Sequence, residues 1–253
     1  ASPPALAFYD AIVDADQGEG VAVLFGNYAG DNMNVKMAVQ MAEDDDIEVK
    51  YVVANDDVAS APKAVKEQRH GIAGGFFMWK VGGARAAKGG SLDDVIASAQ
   101  NVVNRTKSIC VGLEPCVIPA LGHSNFKIED GTMEFGVGHH GEAGTKVEKL
   151  KSASEMAQEM AETILNDFDF EEGKEVAVML SGLGATPVME LYVLYDEVEK
   201  VLAKAGHKVW KTYIGNYVTS LDMNGASLTI VDLDDEIKEL LSEPAVPIGM
   251  KNY

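Results

Sequence analysis

Val21-Ala22-Val23-Leu24-Phe25 is a short apolar run that stops at Gly26-Asn27. A run of this kind suits a strand buried on both faces. Past it the spacing changes. Val35, Ala38, Val39 and Ala42 fall on one face of a helix predicted over Val35 to Met41. Ile47 to Val53 then predicts a second strand, ending in the turn-like residues Asn55-Asp56-Asp57. Strand, turn, helix and strand in that order make an α/β unit.

The same order recurs later in the chain. Glu175 to Leu180 reads as a strand, Gly182-Leu183-Gly184 as its turn, and Pro187 to Ala203 as a helix with Pro near its first turn. Lys208 to Ile214 and Ser227 to Val231 follow as strands, and Asp234 to Leu241 as a short closing helix. Between the two blocks, Gly74 to Ala87 and Ser154 to Leu165 predict helices. Ser91-Leu92-Asp93-Asp94 fits a capping box that opens a helix running through Val103. The expected fold is therefore α/β, with two α/β domains and mixed, largely parallel sheets. Ser108 to Gly144 interrupts the alternation, being rich in Gly and Pro with short β pieces such as Met133 to Val137. A domain change is placed there: residues 1–107 form the first domain and 108–253 the second, with a C-terminal tail able to pack back on the first.

Composition narrows the function classes. With 253 residues, 47% hydrophobic and 24% charged, the chain can bury a sizeable core. No apolar run is long enough for a membrane span, and Ala1 to Asp10 lacks the basic start and apolar segment of a signal peptide. The formal charge of −19 repels phosphate backbones and anionic lipid, so neither nucleic acid nor membrane is an expected partner. Cys110 and Cys116 make neither a disulfide framework nor a zinc pair, and they read as small buried hydrophobes in a reducing cytoplasm.

Four segments could carry chemistry. Asn27-Tyr28-Ala29-Gly30-Asp31-Asn32-Met33-Asn34 sits where a strand ends and a helix begins, the place where ligands bind in open α/β sheets. There Asp31 either projects into a crevice or caps the helix that starts near Asn32. Gly136-Val137-Gly138-His139-His140-Gly141-Glu142-Ala143-Gly144 surrounds two imidazoles with glycine, which lets a small ligand approach. Either histidine suits proton exchange or addition near neutral pH. A metal held by His139, His140 and Glu142 is disfavoured, because adjacent residues in extended chain face opposite sides. Ser181 to Pro187 is either a plain turn or an anion site at a helix start. Asn55-Asp56-Asp57 is either a polar turn or a pair of carboxylates for a cation. A P-loop and a nucleophile elbow are both missing from the sequence.

Taken together, these segments resemble the K-type, substrate-binding subunits of dihydroxyacetone kinases. The likeness runs over essentially the whole chain, through Ser2-Pro3, Gly26 to Asn34, Val53 to Val58, Gly71 to Gly74, Pro115 to Pro119, Gly136 to Gly144, Ser181 to Tyr195 and Tyr213 to Leu228. The run Gly182-Leu183-Gly184-Ala185-Thr186-Pro187-Val188-Met189-Glu190-Leu191-Tyr192 is its most specific part. The resemblance implies that His140, directly before Gly-Glu, bonds covalently to the ketone carbon of dihydroxyacetone as a hemiaminal. It implies that Asp31 is the base on the substrate's terminal hydroxyl and that Ser2 lines the substrate pocket. It further implies a cytoplasmic homodimer, with ATP or ADP and Mg²⁺ carried on a separate L-type subunit and no cofactor on this one. In the bacterial version a phosphotransferase partner recharges that nucleotide.

Two departures stand out. The family's N-terminal Gly-Gly-Gly-Ser-Gly-His-Glu-Pro segment, with a second catalytic histidine, has no match here, so the chain is expected to be a fragment or a processed product. Gly26 stands where the family often has Lys before Asn-Tyr. That hints at another short ketose such as erythrulose, while the missing histidine keeps open a non-catalytic, ketose-sensing paralogue that acts on a transcriptional regulator.

Overall fold

The structure is a computed structural model that describes residues 2–124, 126–169 and 173–247. It divides the chain into two compact units, each assembled from segments distant in sequence.

The first unit holds the chain up to Asn55, Gly75–Asn104 and the segment from Asp234 onward. Its elements are α1 (Ala5–Ala15), β1 (Val21–Gly26), α2 (Ala29–Asp44), β2 (Val49–Ala54), α3 (Gly75–Ala87), α4 (Leu92–Asn104) and, from the end of the chain, α7 (Asp235–Ser242). β1 and β2 pair in parallel, from Val21 opposite Val49 to Gly26 opposite Ala54. Helix α2 makes the crossover between them. Ile12, Ala38 and Ala42 pack on Val21 and Val49. The capping box at Ser91 is present: the Ser91 hydroxyl accepts from Asp94 N–H and the Asp94 carboxylate accepts from Ser91 N–H. Helix α7 is short and depends on its caps. Asp234 accepts from the Ile237 N–H at 2.8 Å, and buried Lys80 donates to the carbonyls of Leu240 and Glu243 at 2.9 and 2.7 Å. A cation among the last carbonyls of a helix is well matched to its dipole.

The second unit holds Asp56–Gly74 and Arg105–Leu233. Its elements are β3 (Thr106–Glu114), β4 (Thr132–Phe135), β5 (Lys146–Lys149), α5 (Ala153–Asp167), β6 (Glu175–Gly182), α6 (Val188–Lys204), β7 (Lys208–Gly215) and β8 (Asn224–Asp232), with a 3-10 helix at Lys63–Gln68. The sheet order is β5-β4-β3-β8-β6-β7. Here the expectation of a largely parallel sheet fails. Only β6 and β7, joined through α6, run in parallel, and every other described pair is antiparallel. The reason is connection length. The chain leaves β7 through the loop after Gly215 and returns as β8 between β3 and β6, antiparallel to both, whereas a parallel return needs a longer crossover.

Helices α5 and α6 cover one face of this sheet. Met156, Met160, Ile164, Leu191, Val198 and Leu202 pack on Ile109, Val111, Val178, Leu180, Leu228 and Ile230. Each such side chain contributes roughly 1.5–3 kcal/mol of burial. The opposite face carries a smaller cluster, including Ile72, Cys110, Cys116, Val137, Leu183 and Met223. Both cysteines are buried and free.

The unit boundary lies before β3, not at Ser108 within it, and residues 56–74 join the second unit instead of the first. Hydrogen bonds explain both facts. Ser108 N–H donates to the Asp56 carbonyl at 2.8 Å, and Val58 N–H donates to the Ser108 carbonyl at 3.0 Å. Arg69, 1% exposed, makes two bonds of 2.7 Å to Asp167 at the end of α5. Among the described residues no helix is long and apolar enough to cross a membrane.

Candidate functional site

His140 stands on the turn that follows β4. The Gly141 N–H donates to the Gly138 carbonyl at 3.1 Å, and the Gly138 N–H donates to the Glu142 carbonyl at 2.8 Å. The turn folds Glu142 back beneath His140. A side chain at position 138 would collide with the Glu142 carboxylate, so glycine there creates the space the carboxylate fills. Gly136, at φ +75°, lets the chain leave the sheet where any Cβ would press on Ala59 at 2.7 Å.

Glu142 grips His140 twice. The His140 backbone N–H donates to Oε2 at 2.8 Å, and Nδ1 lies 3.4 Å from Oε1. Partial burial opposes the charge on Glu142, but the bonds and charge of His140 outweigh it and hold the carboxyl down at about 2. An ionised carboxylate only accepts, so the imidazole nitrogen facing it carries the proton. That leaves the lone pair on Nε2. The His140 side chain is 61% exposed, open to a ligand.

His139 is placed differently. Its ring packs edge-to-face on His140, with centroids 5.6 Å apart and planes at 81°. Burial, and then the charge of His140, push it down to about 4, against the opposing pull of Glu142 and a hydrogen bond to the Thr219 backbone. His139 is therefore neutral near pH 7. Among the described residues no group of three or more His, Cys, Asp or Glu could hold a metal ion.

Asp31 and Ser2 meet in the first unit. Ser2 Oγ donates to Asp31 Oδ2 at 2.8 Å. A Cβ on Gly30 would lie 2.5 Å from Ser2 Oγ, so glycine there is what admits the serine. Asn34 adds a bond of 2.6 Å to the Pro3 carbonyl. Of the two readings of Asp31, the helix cap is not the one the structure shows. Helix α2 begins at Ala29 with Tyr28 at its N-cap, so Asp31 lies inside the first turn. Its carboxylate is held by a serine from far upstream.

The other two segments are structural. Asp56 is buried and staples the loop behind it, accepting from Ile72 N–H at 3.0 Å and Gly74 N–H at 2.7 Å. Asp57 is 2% exposed, and its Oδ1 accepts from Ala59 N–H at 3.0 Å. Burial raises its pKa to about 7; the Ala59 N–H and Arg69 resist the shift, while Asp56 and Glu142 add to it. Neither carboxylate is presented to a cation. In the Ser181 to Pro187 segment, Ser181 Oγ accepts from Tyr217 and Val218 N–H at 3.0 Å each. Thr186 Oγ1 accepts from Gly225 N–H at 2.8 Å. These polar groups serve the fold.

Sequence reasoning missed Glu142 as the partner of His140, weighing it only as a metal ligand. The available signal was its position two residues on, across a glycine, which a tight turn brings back beneath the ring. It also missed Thr219 and Ser220, whose link to the histidines is visible only in three dimensions.

The Dak1 domain model matches residues 1–248. The chain is 40% identical, over 235 residues, to the dihydroxyacetone-binding subunit DhaK of PTS-dependent dihydroxyacetone kinase 1 from Listeria innocua, covering 93% of this chain and 71% of that protein. It is 38% identical to a D-erythrulose kinase of Mycolicibacterium smegmatis, covering 89% of this chain and 39% of that one. Among solved structures, the dihydroxyacetone kinase operon co-activator Dha-DhaQ superposes with a TM-score of 0.90 at 29% identity, covering 96% of this chain and 75% of that one. A shared fold, a shared sequence and a family match over residues 1–248 lead to one conclusion: the chain belongs to the Dak1 domain family.

Proposed function

We propose that this chain is the dihydroxyacetone-binding subunit of a dihydroxyacetone kinase, and that it holds the ketose covalently on His140. The observation that carries the proposal is the His140–Glu142 pair on an open glycine turn. Glu142 orients the ring so that Nε2 attacks the ketone carbon. A C–N bond forms, the C=O π bond opens and its oxygen takes up a proton. The imidazole gives up the Nδ1 proton, so the net change is one proton moved from ring to oxygen. Positive charge that builds on the ring during attack faces the Glu142 carboxylate, which stabilises it. The adduct fixes the substrate and presents its terminal hydroxyl in one orientation. Glycerol, with no carbonyl, is not captured.

Asp31 is assigned the proton of that hydroxyl as phosphoryl transfer proceeds, with Ser2 orienting its carboxylate. The nucleotide and its Mg²⁺ come on a separate L-type subunit. The working form is a cytoplasmic homodimer. Intact-protein mass under mild conditions, with and without dihydroxyacetone, tests the capture step. One added substrate mass on the parent, absent from His140→Ala and absent with glycerol, is expected. An equal adduct on His140→Ala refutes it.

Two other readings each have an observation behind them. Glycine at position 26, where the family often has Lys, favours a kinase for another short ketose, in line with the erythrulose kinase relative. The superposition on an operon co-activator favours a ketose sensor. Turnover on dihydroxyacetone against erythrulose, with an L-type partner supplied, separates all three.

A further inference from the structure

We infer that the loop after β7, residues 215–223, is a rigid mount for the substrate histidine, and that His139 and Ser220 are the positioning residues through which it acts. The inference rests on the covalent role proposed for His140.

The mount is fixed at both ends. At its start, the N–H groups of Tyr217 and Val218 both donate to the Ser181 hydroxyl at the end of β6. At its far end, Ala185 N–H donates to the Met223 carbonyl at 3.1 Å, and Asp222 accepts from the Val117 N–H at 2.7 Å. In between, Ser220 N–H donates to the Leu183 carbonyl at 2.8 Å. Leu221 sits in the left-handed region at φ 54°, a conformation an ordinary side chain adopts only when its surroundings impose it. Gly184, at φ +134°, lies under it, and any Cβ there would run into the Leu221 carbonyl.

This fixed loop reaches the histidine turn through His139. Ser220, 6% exposed, donates its hydroxyl to the His139 carbonyl at 2.5 Å. The His139 ring hydrogen-bonds the Thr219 backbone. The peptide that leads into His140 is thus held by its carbonyl, and the ring before it by its nitrogen. The edge-to-face contact then limits the rotation of His140 itself. Glu142 holds His140 from the other side. His139 never needs to touch substrate for its loss to matter: a nucleophile displaced by a fraction of an ångström loses much of its advantage.

The test uses this chain and four variants, Ser220→Ala, Ser220→Thr, His139→Phe and His139→Asn, read by intact mass across a dihydroxyacetone titration. Circular dichroism and melting temperature establish that each is folded. Ser220→Ala and His139→Phe are expected to raise the dihydroxyacetone concentration for half-maximal adduct at least fivefold. Ser220→Thr and His139→Asn, which keep a hydroxyl and a ring-side donor, are expected to recover most of it. Recovery by the conservative variants is a result that lost packing alone would not produce. Parent-like adduct on both Ser220→Ala and His139→Phe overturns the inference, as does a Ser220→Thr no better than Ser220→Ala. If one variant fails to fold, the other pair decides alone. Absence of adduct on the parent itself overturns the covalent reading and this inference with it, and that outcome is distinct from a parent that reacts beside variants that react equally.

Discussion

Replacing Glu142 by Gln tests the claim that a carboxylate activates His140. Glutamine keeps the size of the side chain and can still accept from the His140 backbone N–H, so the turn is retained. It loses the charge. The His140 ring, together with backbone N–H groups of the turn, holds the Glu142 carboxyl at about 2, against an ordinary value near 4.5, and about 1.36 kcal/mol per unit makes roughly 3 kcal/mol an upper bound on the stabilisation shared with a charged ring. The Glu142 side chain is 36% exposed, so solvent screening reduces that to about 1–2 kcal/mol. Addition to a ketone places positive charge on the ring, so the same energy appears in the rate of adduct formation. A loss of about 5- to 30-fold is expected at pH 7. The assay is stopped-flow mixing with dihydroxyacetone followed by quenched mass measurement. The sign also fixes a stability window. A depressed carboxyl stabilises the fold above about pH 4.5 and loses that contribution as pH falls toward 2. Glu142→Gln should therefore melt lower than the parent at pH 7 and approach it near pH 2. An adduct rate equal to the parent's at pH 7 refutes the reasoning, because the Glu142 carboxylate lies 3.4 Å from Nδ1.

Four more outcomes follow from charge, three of them from buried groups and one from the net charge. Burial first, and then Asp56 and Glu142, raise Asp57 to about 7, so its native form binds a proton more tightly than the unfolded chain; the stability it gives is full below about pH 4 and lost as pH rises through 7, and Asp57→Asn should raise the melting temperature at pH 8, by up to about 4 kcal/mol in free energy, with little change near pH 4. His139, pushed down to about 4, has the opposite dependence: its neutral form stabilises the fold fully above pH 6.5 and fails as pH drops toward 4, so melting curves of His139→Asn should be flatter than the parent's across that interval. Asp167→Ala strands Arg69, which is 1% exposed, and should cost about 3–5 kcal/mol in urea unfolding, while the paired change Arg69→Met with Asp167→Leu should cost far less. The charge of −19 predicts a melting temperature that climbs by several degrees between 0.05 and 0.5 M NaCl, roughly the range over which the screening length drops below about 10 Å, and a fall over that range would count against net self-repulsion.

The sequence announced those parts of the fold whose apolar residues are uninterrupted or capped. β1, β6, α4 and α7 begin and end within a residue or two of the predicted positions, because a buried strand is a short apolar run and Ser91 and Asp234 are capping residues. β3 was hidden. Thr106-Lys107-Ser108-Ile109-Cys110-Val111 is polar at its start, yet all six are buried. Ser108 is satisfied by Thr229 directly across the sheet at 2.7 Å, a partner 121 residues away. Pairing at that distance turns polar residues into core, and no local period records it. The same limit applies at the site. His140 stood out because its glycines did, and Asp31 because a strand ended before it. Ser220 did not, because its role is a hydroxyl turned to a carbonyl 81 residues earlier.

Capture of a ketose and transfer of phosphate place different demands on a chain. Capture asks for one nucleophilic nitrogen, a fixed tautomer and an open approach, and His140, Glu142 and the glycines around them meet that list. Transfer also asks for a base on the substrate hydroxyl. A sensor has no use for the second. Yet the first unit holds Asp31 in a dedicated clamp: the Ser2 hydroxyl on its carboxylate, a glycine at position 30 whose missing Cβ makes room for that hydroxyl, and Asn34 tying down the Pro3 carbonyl beside it. The Ser2 bond restricts the carboxylate's rotation, while Gly30 and Asn34 hold the serine in place, and that restriction costs side-chain entropy that the fold recovers only through the bonds it makes. Such an arrangement is what proton transfer in a defined direction requires. Gly26 ends the strand that leads into this same turn. The balance of the two lists therefore falls on the side of a kinase subunit.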